Sequence, residues 1–149
     1  MTAITLACVV LMQAYAQDEF TSAQLSLRNQ IKSYIAEEGY MPTIDSDGDI
    51  KFKKEGVTYY VIVSKTNSNP MYARLICSYD YGETTYTRAN IAKQLPELSR
   101  YKGVKVALYN STYAYEADMY LTNAKSFTDV FNTLLDQLES IRDELGELL

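Results

Sequence analysis

The sequence predicts a single α+β domain in the order α-β-β-β-α-β-β-α, with helices packed on a mostly antiparallel five-stranded sheet. Two observations carry this. Apolar residues recur at steps of three and four in three segments, and at steps of two in five others. The strand-like runs are joined mainly by short turns, so successive strands pair back on one another. Length and composition agree: 149 residues, 47% hydrophobic, with 3 Pro and 6 Gly, are enough for one core and show no low-complexity stretch.

Met1 to Ala16 read as a cleaved secretory signal, leaving 17–149 as the mature domain. The segment has no charged side chain, and Ile4 to Met12 are largely apolar. Ala14-Tyr15-Ala16 supplies small residues at the two positions a signal peptidase pocket tests, and Gln17-Asp18-Glu19 follows at once. The run is shorter than the roughly 20 apolar residues a bilayer span needs. Its usual basic start is missing. Removal of the signal takes Cys8 with it, so the mature chain keeps only Cys77 and no internal disulfide. The expected location is periplasmic or secreted, with no membrane insertion afterwards.

Ser22 can cap a first helix running to about Glu38, with Leu25, Leu27, Ile31, Tyr34 and Ile35 near helical spacing and Gly39 ending it. Pro42 then forces extended backbone. Ile50 and Phe52 alternate with Lys51 and Lys53, and a turn at Lys54-Glu55-Gly56 leads into the β-branched and aromatic run Val57 to Val63. Thr66 to Pro70 reads as a loop. Met71 to Tyr79 follows, with Met71, Ala73, Leu75 and Cys77 on one face and Tyr72, Arg74, Ile76 and Ser78 on the other.

A second helix starts near Thr87 and shows Ile91, Leu95 and Leu98 on one face, with a kink or restart expected at Pro96. Val104, Val106 and Leu108 alternate with Lys105 and Ala107. A turn at Asn110-Ser111-Thr112 returns the chain as the strand Tyr113 to Leu121. The last helix is capped by Ser126 and carries Phe127, Phe131, Leu134, Leu138, Ile141, Leu145 and Leu148 at alternating steps of four and three. This stripe fits an amphipathic helix lying on the sheet better than a coiled-coil seam. Extended to Leu149, the helix would be about 36 Å long and overhang strands of about 26 Å.

Composition narrows the function. With no His, Ser-His and Cys-His nucleophile pairs and imidazole metal sites are excluded. A net charge of −5, without a Lys/Arg cluster, argues against nucleic acid. Asp45-Ser46-Asp47-Gly48-Asp49 has carboxylates at alternate positions, but Gly48 comes too early for a calcium loop and Lys54 stands where its bidentate Glu would be. It is read as a turn. Cys77, on an apolar strand face, reads as a buried hydrophobe. Glu116 and Asp118 read as a solvated strand face. No metal, cofactor or catalytic residue is assigned.

The 14 tyrosines are the best functional candidates. Tyr60, Tyr72, Arg74, Ile76, Tyr109 and Tyr120 are expected on the sheet face away from the main core, where an aromatic patch marks an interaction surface unless a helix covers it.

The string Ile44-Asp45-Ser46-Asp47-Gly48-Asp49-Ile50-Lys51-Phe52-Lys53-Lys54-Glu55-Gly56-Val57-Thr58-Tyr59-Tyr60 resembles the opening strands of the YbjN-like family. The helix ending at Gly39, the Pro70-to-Tyr79 strand and Glu116-Ala117-Asp118-Met119-Tyr120-Leu121 extend the resemblance over the mature chain. The family is described as sensory-transduction regulators with the fold of type III secretion chaperones. The resemblance supplies no catalytic motif and implies a fold similar to that of chaperones that dimerise and hold partner segments on exposed sheet or helix surface. Most such relatives are cytoplasmic, and the signal departs from that. The expected function is an exported protein-interaction module, able to form a homodimer through the second helix or the end of the last. Its rivals are a small-ligand binder or enzyme using carboxylates and tyrosines in a cleft, and a structural envelope component.

Overall fold

The computed structural model describes residues 19–83 and 85–149, so the signal-like segment and Cys8 lie outside the described residues. Helix α1 spans Ser22–Glu37. Its cap is Thr21 rather than Ser22: the Thr21 side chain accepts from the Gln24 N–H, and the Gln24 side chain accepts from the Thr21 N–H at 2.8 Å. Leu27, Ile31 and Ile35 are buried as their spacing predicts, but Leu25 faces outward and Gln24 takes an inner position instead. Gln24 tolerates burial because its amide donates to the carbonyls of Ser64 and Asn67 at 2.8 and 3.0 Å. Gly39 (φ 94°) ends the helix in a backbone conformation that side chains resist.

Among the described residues the sheet has six strands, not five. They are β1 (Thr43–Ile44), β2 (Ile50–Lys54), β3 (Val57–Ser68), β4 (Met71–Asp80), β5 (Lys105–Leu108) and β6 (Thr112–Leu121), in the spatial order β1-β2-β3-β4-β6-β5. Every pairing is antiparallel. The additional strand, β1, is two residues long, too short to show alternation, and exists because Thr43 and Ile44 pair with Lys51 and Ile50. The loop expected at 66–70 is mostly strand: β3 runs to Ser68, with a register irregularity between Val63 and Ser68, and only Asn69–Pro70 turns. The Gln24 amide holds that polar stretch in place, a constraint from another element that composition does not show.

A 3-10 turn (Tyr81–Glu83) and α2 (Arg88–Leu98) follow. Pro96 lies inside α2 and the helix continues through it for two residues, so no restart occurs. Ser99 receives the chain there, its hydroxyl donating to the Pro96 carbonyl at 2.6 Å.

The last helix is two. Asn123, not Ser126, caps α3 (Ala124–Thr128), and α4 (Phe131–Leu148) begins after a break at Asp129–Val130. At 18 residues α4 is about 27 Å long, close to a ten-residue strand at about 33 Å, so most of the expected overhang disappears. The apolar stripe is used within the chain. Phe127, Phe131, Leu138, Ile141 and Leu145 are buried, joined by Leu135, while Leu148 and Leu149 stay 38% and 42% exposed.

The core lies between the sheet and these helices. One strand face supplies Ile50, Phe52, Tyr59, Val61, Val63, Ala73, Leu75, Cys77, Tyr113, Tyr115, Ala117 and Leu121. The helices return Leu27, Ile31, Ile35, Ile91, Phe131 and Leu138. Cys77 is packed among them, and burial pushes its thiol pKa up to about 12, so it stays an unionised hydrophobe. The result is an α+β fold with an antiparallel sheet whose core comes from one face. Among the described residues no helix is long and apolar enough to cross a membrane.

Candidate functional site

Alternation along the strands sends Lys51, Tyr60, Ile62, Tyr72, Arg74, Ile76, Glu116, Asp118, Tyr120 and Lys105 to the face opposite that core. The register then sets neighbours: Tyr72 opposite Tyr120, Arg74 opposite Asp118, Ile76 opposite both Tyr60 and Glu116, and Lys105 opposite Glu116 on its other side. All six sequence-predicted residues, Tyr60, Tyr72, Arg74, Ile76, Tyr109 and Tyr120, reach this face or its rim. None of the six is buried, and Tyr120 is 69% exposed. The described core residues of the helices lie on the opposite side of the sheet.

A charge network occupies the centre. Arg74 Nε donates to Asp118 Oδ1 at 2.7 Å and Lys105 Nζ to Asp118 Oδ2 at 2.6 Å. Tyr72 also donates to Asp118, and the Arg74 guanidinium donates to the Tyr72 hydroxyl at 2.8 Å. Tyr109 donates to Glu116 Oε1, while Arg74 and Lys105 stand 3.6 and 3.4 Å from Glu116 Oε2. The Tyr72 and Tyr120 rings lie 5.5 Å apart at 61°, and Lys51 sits 5.7 Å over the Tyr60 ring. Four charges therefore cancel locally, and they hold the aromatic rings around them in set positions.

The reading of Glu116 as solvated is corrected: it is 1% exposed. A carboxylate survives there because two cations and a phenol surround it, which outweighs part of the cost of removing it from water. Asp118 keeps more solvent contact. Burial alone would raise its pKa, but hydrogen bonds from Lys105, Tyr72 and Arg74 outweigh that and hold it down to about 2. The sign follows: Asp118 stabilises the fold above its unfolded pKa near 3.9, and this is lost as pH falls toward 2. Urea titrations at pH 5 and pH 2.5 are expected to show a loss that Asp118→Asn reduces by about 1 kcal/mol, after discounting for solvent screening. An unchanged pH dependence in the variant would remove Asp118 from the account.

Lys105 was not singled out from the sequence. Its alternation with Val104 and Val106 was the available signal, but only the pairing of β5 with β6 brings it to Asp118. In the acidic turn, the Asp45 carboxylate accepts from the N–H groups of Asp47 and Asp49 at 3.0 and 2.9 Å, so it holds its own loop. Gly48 (φ 92°) makes the bend, and a Cβ there would come within 3.0 Å of the Phe20 ring.

A concave site lies on the helix side, at the end of the sheet. Tyr79, Tyr113 and Tyr115 from the strands, Thr85 and Tyr86 before α2, and Arg142, Asp143 and Gly146 of α4 enclose about 580 Å³. This cleft gathers tyrosines but includes neither Glu116 nor Asp118. Comparison with models of known protein families, with curated proteins and with solved structures found no match.

Proposed function

We propose that this chain is an exported, non-enzymatic protein-interaction module that docks a partner on the open face of its sheet, and that a second copy of the chain is one such partner. One observation carries the reading: among the described residues the helices pack on one side only, leaving Tyr60, Tyr72, Ile76 and Tyr120 around a fixed guanidinium on the other. Tyrosine and arginine are the residues that interface centres favour.

Size and charge favour a second copy. At about 3.3 Å per residue and about 4.8 Å between strands, the six strands present a face of roughly 700 Å². A standard interface takes about 800 Å² from each partner. Arg74 and Lys105 offset Glu116 and Asp118, so the centre is neutral in a chain of net charge −5. Two such faces can meet about a two-fold axis without the repulsion that the rest of the acidic surface would impose. Ile91 and Leu98 of α2 are buried in their own chain, which favours the sheet over that helix as the contact. Membership of the YbjN-like family, with its chaperone-like fold, belongs to the same proposal and is consistent with a dimer.

Light scattering on a sizing column from about 1 to about 100 µM is the test. The expected mass rises toward twice that of one copy, and Tyr120→Glu, a change at an exposed position, returns it to one copy. A single-copy mass throughout, or a dimer indifferent to Tyr120→Glu, counts against the face.

A further inference from the structure

We infer that the tyrosine cleft at the end of α4 is a binding site for a small aromatic carboxylate of one or two rings, a site separate from the open sheet face. The lining divides into two parts that suit the two halves of such a molecule. Tyr79, Tyr86, Tyr113 and Tyr115 form a cluster of rings: Tyr79 stacks on Tyr113 at 5.6 Å and 21°, and Tyr113 meets Tyr115 edge-on at 5.9 Å. Tyr113 and Tyr115 are buried behind the half-buried Tyr79 and Tyr86, and a planar ring can meet those two by offset stacking or edge contact. Beside it stands Arg142, half-buried, a planar donor group matched to a carboxylate.

The guanidinium is positioned before any ligand arrives. Its Nε and Nη2 donate to Asp143 Oδ1 at 3.1 and 3.0 Å, and Nη1 donates to the Tyr59 hydroxyl at 3.3 Å. These contacts use three of the five N–H groups an arginine carries. The guanidinium also bonds the Tyr79 side chain and lines the cleft. The half-buried Tyr79 hydroxyl is protonated at neutral pH, as phenols are, and burial raises its pKa further. Asp143 also lines the cleft, but its carboxylate is paired with the guanidinium, so a ligand cation drawn to the tyrosine rings finds that charge already offset. The volume of about 580 Å³ lies within the range of small-ligand sites.

Gly146 keeps the cleft open. A Cβ at this helical position would lie 3.5 Å from the Tyr86 hydroxyl, ordinary contact, whereas a longer side chain would extend into the space between them. Replacing a helical glycine with leucine also favours the helix, so Gly146→Leu fills the site without threatening the fold.

The test is calorimetric titration of the full chain with 2-naphthoate, 2-naphthamide and 2-naphthylmethylamine, alongside Gly146→Leu and Arg142→Gln. Saturable binding of naphthoate is expected, at least about tenfold tighter than the amide, with the amine weakest. Gly146→Leu abolishes it at a melting temperature no lower than the parent's. Arg142→Gln brings naphthoate down to the affinity of the amide. Tyr120→Glu, on the open face, leaves it intact, so this result is independent of the dimer experiment. No saturable binding, an amine that binds as well as the acid, or full affinity in Gly146→Leu would each overturn the assignment.

Discussion

Phe131→Ala is expected to lower the free energy of unfolding by about 3–5 kcal/mol, the range for deleting a buried aromatic side chain. The residue is fully buried at the start of α4. Its ring lies 5.4 Å from Phe127 of α3, 5.8 Å from Tyr34 of α1, 5.9 Å from Phe52 of β2 and 6.3 Å from Tyr40. These neighbours belong to different elements, each held by its own hydrogen bonds, so they cannot collapse together into the vacated space. The cavity therefore remains, and its cost adds to the lost transfer energy. Set against the 5–15 kcal/mol typical of a whole domain, the change is severe. Urea denaturation followed by circular dichroism measures it, and Phe131→Leu, which refills most of the volume, should lose no more than about 1.5 kcal/mol. A loss below about 1 kcal/mol in the alanine variant would show that this cluster can repack.

Glu116→Ala should be the next most damaging change, at about 2–3 kcal/mol. Removing the carboxylate leaves Tyr109 without its acceptor and sets Arg74 and Lys105 against Asp118 alone. The full penalty for stranding buried charges, about 3–5 kcal/mol, does not apply, because the Arg74 and Lys105 side chains are 28% and 54% exposed and can recruit water. Glu116→Gln separates the contributions. It keeps the shape and an acceptor for Tyr109 but removes the charge, so it should cost less than alanine. Equal losses in the two variants would mean that charge, not packing or the Tyr109 bond, governs the site. An alanine variant as stable as the parent would mean that the network contributes nothing net.

Much of this arrangement was legible in the sequence. The alternation of Met71 to Tyr79 divided β4 correctly into Ala73, Leu75 and Cys77 inside and Tyr72, Arg74 and Ile76 outside, because a strand has a side-chain period of two whatever its neighbours are. The same local rule placed Tyr60 and Tyr120. The ends of α1 and the start of α2 were legible to within a residue, but the cap of α3 lies three residues before the expected one at Ser126, and the break between α3 and α4 was not legible. No proline or glycine marks Asp129–Val130, and an uninterrupted apolar stripe looks alike in one helix or two. Two-residue β1 and polar Ser64 to Ser68 were missed as strand because backbone pairing, not side-chain pattern, makes them so.

Glu116 shows where local reading ends. On its own strand it looks like any outward carboxylate, and it is buried only because β5 brings Lys105 beside it, β4 brings Arg74, and Tyr109 closes over it. The cleft around Arg142 is likewise assembled from segments more than sixty residues apart. The sequence alone determined which side chains face which way along each element, since backbone periodicity is a short-range property. Which faces were covered, which charges met and where a cavity stayed open were decided by strand order and helix placement, because those depend on contacts between residues distant along the chain.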